Sequence, residues 1–155
     1  MKKAVILTAR KERDSQVPYP LQPFAGDICL MDRTLAILRE NGINQIAIVT
    51  GFCHEQFEKY QAEDVTLIYN KDYEFTASMG SLALAKEFID EDFLLVEGDT
   101  FYEKKVIEKL CECAEGNCIS MTEESGSGDE CFVETKNGFV TKITKDRHRA
   151  CNFEG

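Results

Sequence analysis

Short apolar runs alternate with longer helix-like stretches along most of this chain, and that alternation restricts the fold more than any other feature. The first run, Lys3 to Ala9, stops at a small residue and turns at once into Arg10-Lys11-Glu12-Arg13-Asp14-Ser15. An apolar run of about four to eight residues bounded by polar turn residues reads as a buried strand. Gln45 to Thr50, Val65 to Tyr69 and Phe93 to Val96 repeat the pattern, the last as the strongest candidate for a central strand. Between them lie a helix opening at Asp32-Arg33-Thr34, a short charged helix from Glu55 to Gln61 and a helix from Ser81 to Ile89. Glu103 to Glu115 forms a further amphipathic helix, with Val106, Ile107 and Leu110 inward. Strands alternating with helices imply an α/β fold with a mostly parallel sheet and helices on its faces.

Punctuation supports the reading. Asp32 or Thr34 suits the N-cap of the first helix, Leu35, Ile37 and Leu38 its buried side, and Asn41-Gly42 its left-handed stop. Ser15 to Ile28 carries Pro18, Pro20, Pro23 and Gly26 and reads as a long loop, which in small domains is usually functional. Leu82, Leu84, Ala85 and Phe88 are available for packing in the helix at Ser81. Beyond Gly116, Cys118 to Met121, Cys131 to Thr135 and Phe139 to Thr144 look like strands, with Lys136-Asn137-Gly138 as a hairpin turn and Thr122 to Glu130 as an acidic loop.

Composition narrows the partners. At 155 residues, 43% hydrophobic, the chain can build one real core. A net charge of −10, from 18 basic and 28 acidic side chains, argues against nucleic acid or an anionic membrane surface. It also means that a polyanionic ligand needs a local basic cluster and a divalent cation. No stretch approaches the roughly 20 apolar residues of a membrane helix, and Met1-Lys2-Lys3 precedes too short an apolar run for a signal peptide. The cysteines, seven in number and without a Cys-x-x-Cys pair, read as reduced thiols in a cytoplasmic protein. His54 and His148 read as isolated surface or loop residues.

The candidate site follows from the sheet. Open α/β sheets bind ligands at the carboxyl edge of their strands, and Arg10, Lys11 and Arg13 place cations there. Glu97-Gly98-Asp99 closes the run from Phe93, so Asp99 is placed to hold Mg²⁺ against phosphate oxygens; a turn or N-cap aspartate is the plainer alternative. If those two strands are neighbours, Arg10 and Asp99 face one cleft. Ser78-Met79-Gly80-Ser81 offers backbone N–H groups and hydroxyls to an anion or a base edge, or simply caps a helix. Gly51-Phe52 implies close backbone approach to a ligand, or a turn.

The order of these motifs resembles the nucleotidyltransferases of the sugar-phosphate and cytidylyltransferase type over nearly the whole chain. The resemblance rests on Leu7-Thr8-Ala9-Arg10 with Pro20-Leu21, the strand and glycine at 45–51, Asn70, the helix start from Ser78 to Ser81, and Gly98-Asp99. The Ala-Ala-Gly-x-Gly-x-Arg loop of sugar nucleotidyltransferases does not occur, and Ala9-Arg10 is similar to the Pro-Ala-Arg form of cytidylyltransferases. Asn70-Lys71-Asp72-Tyr73 and Ser81-Leu82 look closest to bacterial enzymes that use CTP with phosphocholine or 2-aminoethylphosphonate.

The resemblance implies a Rossmann-like three-layer α/β/α fold with a mostly parallel mixed sheet, and one nucleotide-binding domain over 1–155. It implies transfer of CMP from CTP to a small amine-bearing phosphonate or phosphate, with Mg²⁺ as cofactor. Arg10 and Asp99 are then catalytic, with Asp99 on the metal. Leu7, Thr8, Ala9, Arg10, Lys11, Arg13, Gly51, Ser81 and Gly98 bind the nucleotide. Tyr73, Phe75, Phe101 and Tyr102 are candidate walls for the acceptor's amine. Tyr19 stands where the family has a phosphate-binding lysine, a charge that Arg10, Lys11 or Arg13 must then supply. The family domain runs well beyond 155 residues, so its second metal carboxylate and part of the acceptor pocket are expected after Gly155. A sugar-1-phosphate nucleotidyltransferase and a non-catalytic nucleotide-binding regulatory domain are the competing readings.

Overall fold

Lys3–Thr8 forms β1, a strand in which every side chain is buried. In the computed structural model, which describes residues 1–11, 15–114, 116–123 and 130–146, the chain divides into two units, Met1–Ile119 and Ser120–Gly155. In the first unit β1 pairs in parallel with β4 (Gln45–Thr50) on one side and β6 (Phe93–Glu97) on the other, and β4 pairs in parallel with β5 (Val65–Tyr69). The order is β5-β4-β1-β6. β6 therefore lies at the edge of the described sheet, and the centre is β1 and β4. Among the described residues this four-stranded sheet pairs in parallel throughout, and two further strand pairs are antiparallel.

Alternation along the strands sorts two cores. Ala4 and Ile6 of β1 pack with Ile46, Ile48 and Val96 against Met31, Leu35 and Leu38 of α1 (Leu30–Glu40) and Ile107 of α3 (Lys104–Glu112). Val5 and Leu7 pack with Ala47 and Val49 on the opposite face against Ala85, Leu82 and Phe88, at and beyond the end of α2 (Ser78–Leu84). Helices thus cover both faces, giving three α/β/α layers. Each fully buried aliphatic side chain contributes roughly 1.5–3 kcal/mol over its exposed state.

Several boundaries differ from the sequence reading, each for a local reason. The expected loop from Ser15 contains a small ribbon of β2 (Pro23–Ala25) and β3 (Ile28–Cys29). Cys29, not Asp32 or Thr34, caps α1: Asp32 sits at the third helical position, and its carboxylate accepts from the Cys29 N–H at 3.3 Å and the Cys29 thiol at 2.9 Å. Tyr60 donates to the same carboxylate at 2.9 Å. These bonds overcome the burial that pushes Asp32 upward and hold it below the usual aspartate value, while burial and the same network push Tyr60 far upward. The charged segment is a 3₁₀ helix, His54–Tyr60, and His54 is engaged: its Nδ1 lies 2.6 Å from Thr50 Oγ1 and its ring stacks on Tyr69 at 4.5 Å.

α2 begins at Ser78, before the expected Ser81, and Leu84 faces outward. Cys118 to Met121 is not a strand. The expectation of uniformly reduced cysteines also fails, because Cys113 and Cys118 form a disulfide. α3 stops at Glu112, Cys113 leaves helical geometry, and the following turn brings Cys118 back to it. Residue counts carry no record of that return. Cys29, Cys53, Cys111 and Cys131 are free thiols. In the second unit β7 (Phe132–Lys136) and β8 (Phe139–Thr144) form the expected hairpin, closed by Asn137 and Gly138, both at positive φ (53° and 79°) as a two-residue primed turn requires. Most of the acidic stretch after Thr122, His148 and the chain's end lie outside the described residues.

One ion pair sets an acid response. Arg39 grips Asp64 with two bonds, at 2.7 and 3.1 Å, joining α1 to the residue before β5. The Arg39 hydrogen bond holds Asp64 below its ordinary value of 3.8, against partial burial. The pair's contribution is therefore complete above that value and lost as pH falls through the depressed folded value. Both partners keep solvent exposure, so the effect is small. Melting temperatures of wild type and Arg39→Ala should differ at neutral pH and converge in acid; a constant difference contradicts the assignment.

Candidate active site

The parallel register brings the carboxyl ends of β1, β4 and β6 to one edge, and two glycines let them approach. A Cβ on Gly98 would lie 2.4 Å from Thr8 Cγ2 and 2.8 Å from the Leu7 carbonyl oxygen. A Cβ on Gly51 would lie 2.5 Å from Tyr73 Cβ and 2.6 Å from the Ala9 carbonyl oxygen. Gly98 N–H donates to Leu7 O at 2.9 Å, and Phe52 N–H to Ala9 O at 3.1 Å. Thr8 Oγ1 donates to Val49 O at 3.0 Å. The backbone from Leu7 to Ala9 is thus clamped from both sides.

Above it opens a cavity of about 480 Å³, lined by Leu7, Thr8, Ala9, Arg10, Lys11, Pro20, Tyr73, Glu74, Thr76, Ala77, Ser78, Ser81, Glu97 and Asp99. That volume suits a small-molecule ligand. Arg10 Nη1 lies 3.9 Å from Asp99 Oδ2, so the two side chains expected to share a cleft do share it. Lys11 Nζ pairs with Glu74 Oε1 at 2.9 Å, and that bond holds the lysine above its ordinary pKa.

Other expected residues fall elsewhere. Gly51 and Gly98 shape the cavity from behind, as points of close approach, and do not line it. Arg13 lies outside the described residues. Of the four aromatics only Tyr73 lines the cavity. Phe75 is 88% exposed. Phe101 lines a separate cavity of about 160 Å³ with Tyr19 and Phe24, because the Arg33 guanidinium sits 4.2 Å over its ring and Phe24 packs edge-on at 5.7 Å. Tyr102 packs against the core, and its hydroxyl accepts from the Glu97 N–H at 3.2 Å. Tyr19 is outside the main cavity as well; its neighbour Pro20 lines it. At α2, the Gly80 and Ser81 N–H groups both donate to Ala77 O, which removes them as anion donors and leaves the hydroxyls of Ser78 and Ser81 on the wall.

Glu74 and Glu97 are the residues the sequence reading overlooked. Glu97 is the last residue of β6, and the turn at Gly98-Asp99 brings both carboxylates to the same cavity wall. Partial burial first, and the charge of Asp99 second, push the Glu97 carboxyl above its ordinary value. With Glu74, Glu97 and Asp99 against Arg10 and Lys11, carboxylates outnumber cations on the wall. Among the described residues no group of three or more His, Cys, Asp or Glu is placed to hold a metal by itself. Two hard carboxylates facing space for a phosphate nevertheless fit Mg²⁺, which is commonly held by one or two carboxylates plus phosphate oxygens.

This edge, clamp and cavity lie where open parallel α/β sheets bind their ligands, at the carboxyl ends of the strands. The chain belongs to the MobA-like NTP transferase domain family, whose pattern matches residues 4–143. It is 29% identical over 149 residues to the CMP-5'-(3-aminopropyl)phosphonate synthase of Streptomyces rubellomurinus, covering 92% of this chain and 24% of that protein. It is 39% identical over 77 residues to the choline-phosphate cytidylyltransferase of Haemophilus influenzae, covering 49% of this chain and 33% of that protein. The chain thus spans about a quarter to a third of the length of these relatives. The CTP:phosphocholine cytidylyltransferase structure from Streptococcus pneumoniae superposes with a TM-score of 0.71 at 23% identity, over 91% of this chain and 63% of that one. The inositol-1-phosphate CTP transferase of T. maritima gives 0.69 at 18%, over 94% and 64%. These superpositions bear out the Rossmann-like nucleotidyltransferase fold. Among the described residues no helix is long and apolar enough to cross a membrane.

Proposed function

We propose that this chain carries the nucleotide site of a cytidylyltransferase that moves CMP from CTP to a small amine-bearing phosphonate or phosphate, such as 2-aminoethylphosphonate or phosphocholine, and releases pyrophosphate. The carrying observation is the approach of Arg10 and Asp99 within 3.9 Å at the mouth of a cavity framed by β1 and α2. The names of the relatives support CTP and a phosphonate or phosphocholine acceptor. A cytoplasmic setting goes with this reading, because CTP is made there.

In this reaction an acceptor oxygen attacks the α-phosphorus of CTP, a new P–O bond forms, and the bond to the β-phosphate's bridging oxygen breaks. A phosphate or phosphonate oxygen is already ionised near neutral pH, so no side chain has to take a proton from it. What this chain supplies is position and charge. Arg10 presents a planar fork suited to two phosphate oxygens. Lys11 adds a second cation once it parts from Glu74. The clamped backbone of Leu7 to Ala9 and the Ser81 hydroxyl frame the base. Asp99, with Glu97 beside it, would hold Mg²⁺, which when bound offsets phosphate charge in a cavity otherwise rich in carboxylates. Of the four aromatics only Tyr73 lines the cavity, and Glu74 beside it offers an acceptor amine a negative charge.

Purified protein with Mg²⁺, each nucleoside triphosphate and each acceptor should release pyrophosphate fastest with CTP and an aminophosphonate or phosphocholine. Preference for UTP or dTTP with a sugar phosphate supports the sugar nucleotidyltransferase reading, and no release with any pair leaves the non-catalytic one ahead. Arg10→Ala is expected to weaken CTP binding by about tenfold or more, the scale of one lost charge-assisted contact. Calorimetric titration checks this, and an unchanged affinity removes Arg10 from the triphosphate site.

A further inference from the structure

We propose that Asn70 is a positioning residue that fixes the Ser81 hydroxyl as a hydrogen-bond donor toward the bound nucleotide; the proposal rests on the nucleotide reading above. Asn70 follows β5, is 2% exposed, and continues the sheet by donating its N–H to Thr50 O at 2.8 Å. Its side chain joins the end of β5, the loop bearing Tyr73 and Glu74, and α2. Oδ1 accepts from the Asp72 N–H at 3.0 Å. A backbone N–H can only donate, so this bond identifies the oxygen and leaves the amide NH₂ facing the other way.

Both amide hydrogens are spent. One goes to Thr76 Oγ1 at 2.8 Å and the other to Ser81 Oγ at 3.0 Å. Thr76 passes its own hydrogen to Asp72 O at 3.1 Å. Ser81, 4% exposed and on the cavity wall, accepts from Asn70, and no described residue accepts its hydrogen. A hydroxyl has one hydrogen and two lone pairs; with one lone pair taken by the Asn70 amide at its back, its hydrogen is the group left to aim into the cavity. That wall therefore favours a ligand atom that accepts, such as a carbonyl oxygen or ring nitrogen of a base. A buried donor left without an acceptor carries a desolvation cost, which makes the selection energetic as well as geometric.

The test is a double-mutant cycle on CTP affinity by calorimetry, with Asn70→Asp and Ser81→Ala alone and together. The carboxylate in Asn70→Asp can still accept from the Asp72 N–H but has no hydrogen to give, so Ser81 turns to donate to it and is lost to the ligand. Each single variant should bind CTP about tenfold more weakly, and the double variant no more weakly than Ser81→Ala alone. Ser81→Thr, which keeps the hydroxyl, should restore binding. A Ser81→Ala chain with wild-type affinity overturns the proposal. So does an Asn70→Asp effect of equal size with and without the Ser81 hydroxyl, which a merely structural role would give. Should Asn70→Asp fail to fold, Asn70→Ser enters the same cycle with the same two outcomes. A wild-type chain that binds no nucleoside triphosphate overturns the nucleotide reading and this one with it; one that binds CTP while the cycle is additive overturns only the role of Asn70.

Discussion

Asp99→Asn is expected to lower pyrophosphate release at least about 10²-fold, the scale on which a group aimed at developing charge contributes, while leaving the fold intact. Asp99 sits at the cavity mouth with its side chain 43% exposed, and its pair with Arg10 is long, at 3.9 Å. Such exposed pairs contribute about 0–1 kcal/mol to stability. The melting temperature should therefore shift by no more than about 4 °C. Turnover and circular-dichroism melts on the same preparation separate the two effects. A wild-type rate in this variant removes Asp99 from the mechanism, and a collapsed melt assigns it to the fold.

Gly98→Ala is expected to lower stability by crowding the junction of β1 and β6. Its Cβ would meet Thr8 Cγ2 at 2.4 Å and the Leu7 carbonyl oxygen at 2.8 Å. Leu7 O is itself held by the Gly98 N–H, so the two strands must part for the methyl to fit. Overpacking of this kind costs about 1–3 kcal/mol, which for a chain of this size lowers Tm by roughly 2–4 °C per kcal/mol. Asp99, the next residue, moves with the strand end, so turnover should fall as well. Gly116→Ala is the control, because nothing lies within 4 Å of its Cβ position. Equal melts for Gly98→Ala and Gly116→Ala would remove the steric account of the strand junction.

The parallel sheet was legible because buried strands repeat at intervals filled by helix-like sequence, and the neighbouring places of β1 and β6 follow from where their ends must meet. Arg10 and Asp99 were legible for the same reason: both stand at a strand's carboxyl end. The acceptor wall was not. Phe101 and Tyr102 lie only two and three residues beyond Asp99, yet Arg33 and Phe24 draw Phe101 away and the core takes Tyr102. Sequence distance says nothing about such competition. Glu74 emerges only because its loop is held beside Lys11. The Cys29 cap escaped because thiols rank low as caps, and here the capping carboxylate is Asp32, three residues on. The Cys113–Cys118 disulfide depends on how a turn closes, which spacing alone does not specify.

With a net charge of −10 and carboxylates in excess on the cavity wall, the proposed CTP substrate requires accompanying cations. Transfer of the α-phosphoryl group is the event at issue, and phosphorus-31 NMR of wild-type protein with Mg²⁺, CTP and 2-aminoethylphosphonate or phosphocholine follows it directly. The expected result is loss of the CTP signals with matched growth of pyrophosphate and of two coupled resonances from a CMP-linked product. CTP that persists, or that decays to CMP with no linked product for either acceptor, contradicts cytidylyl transfer by this site.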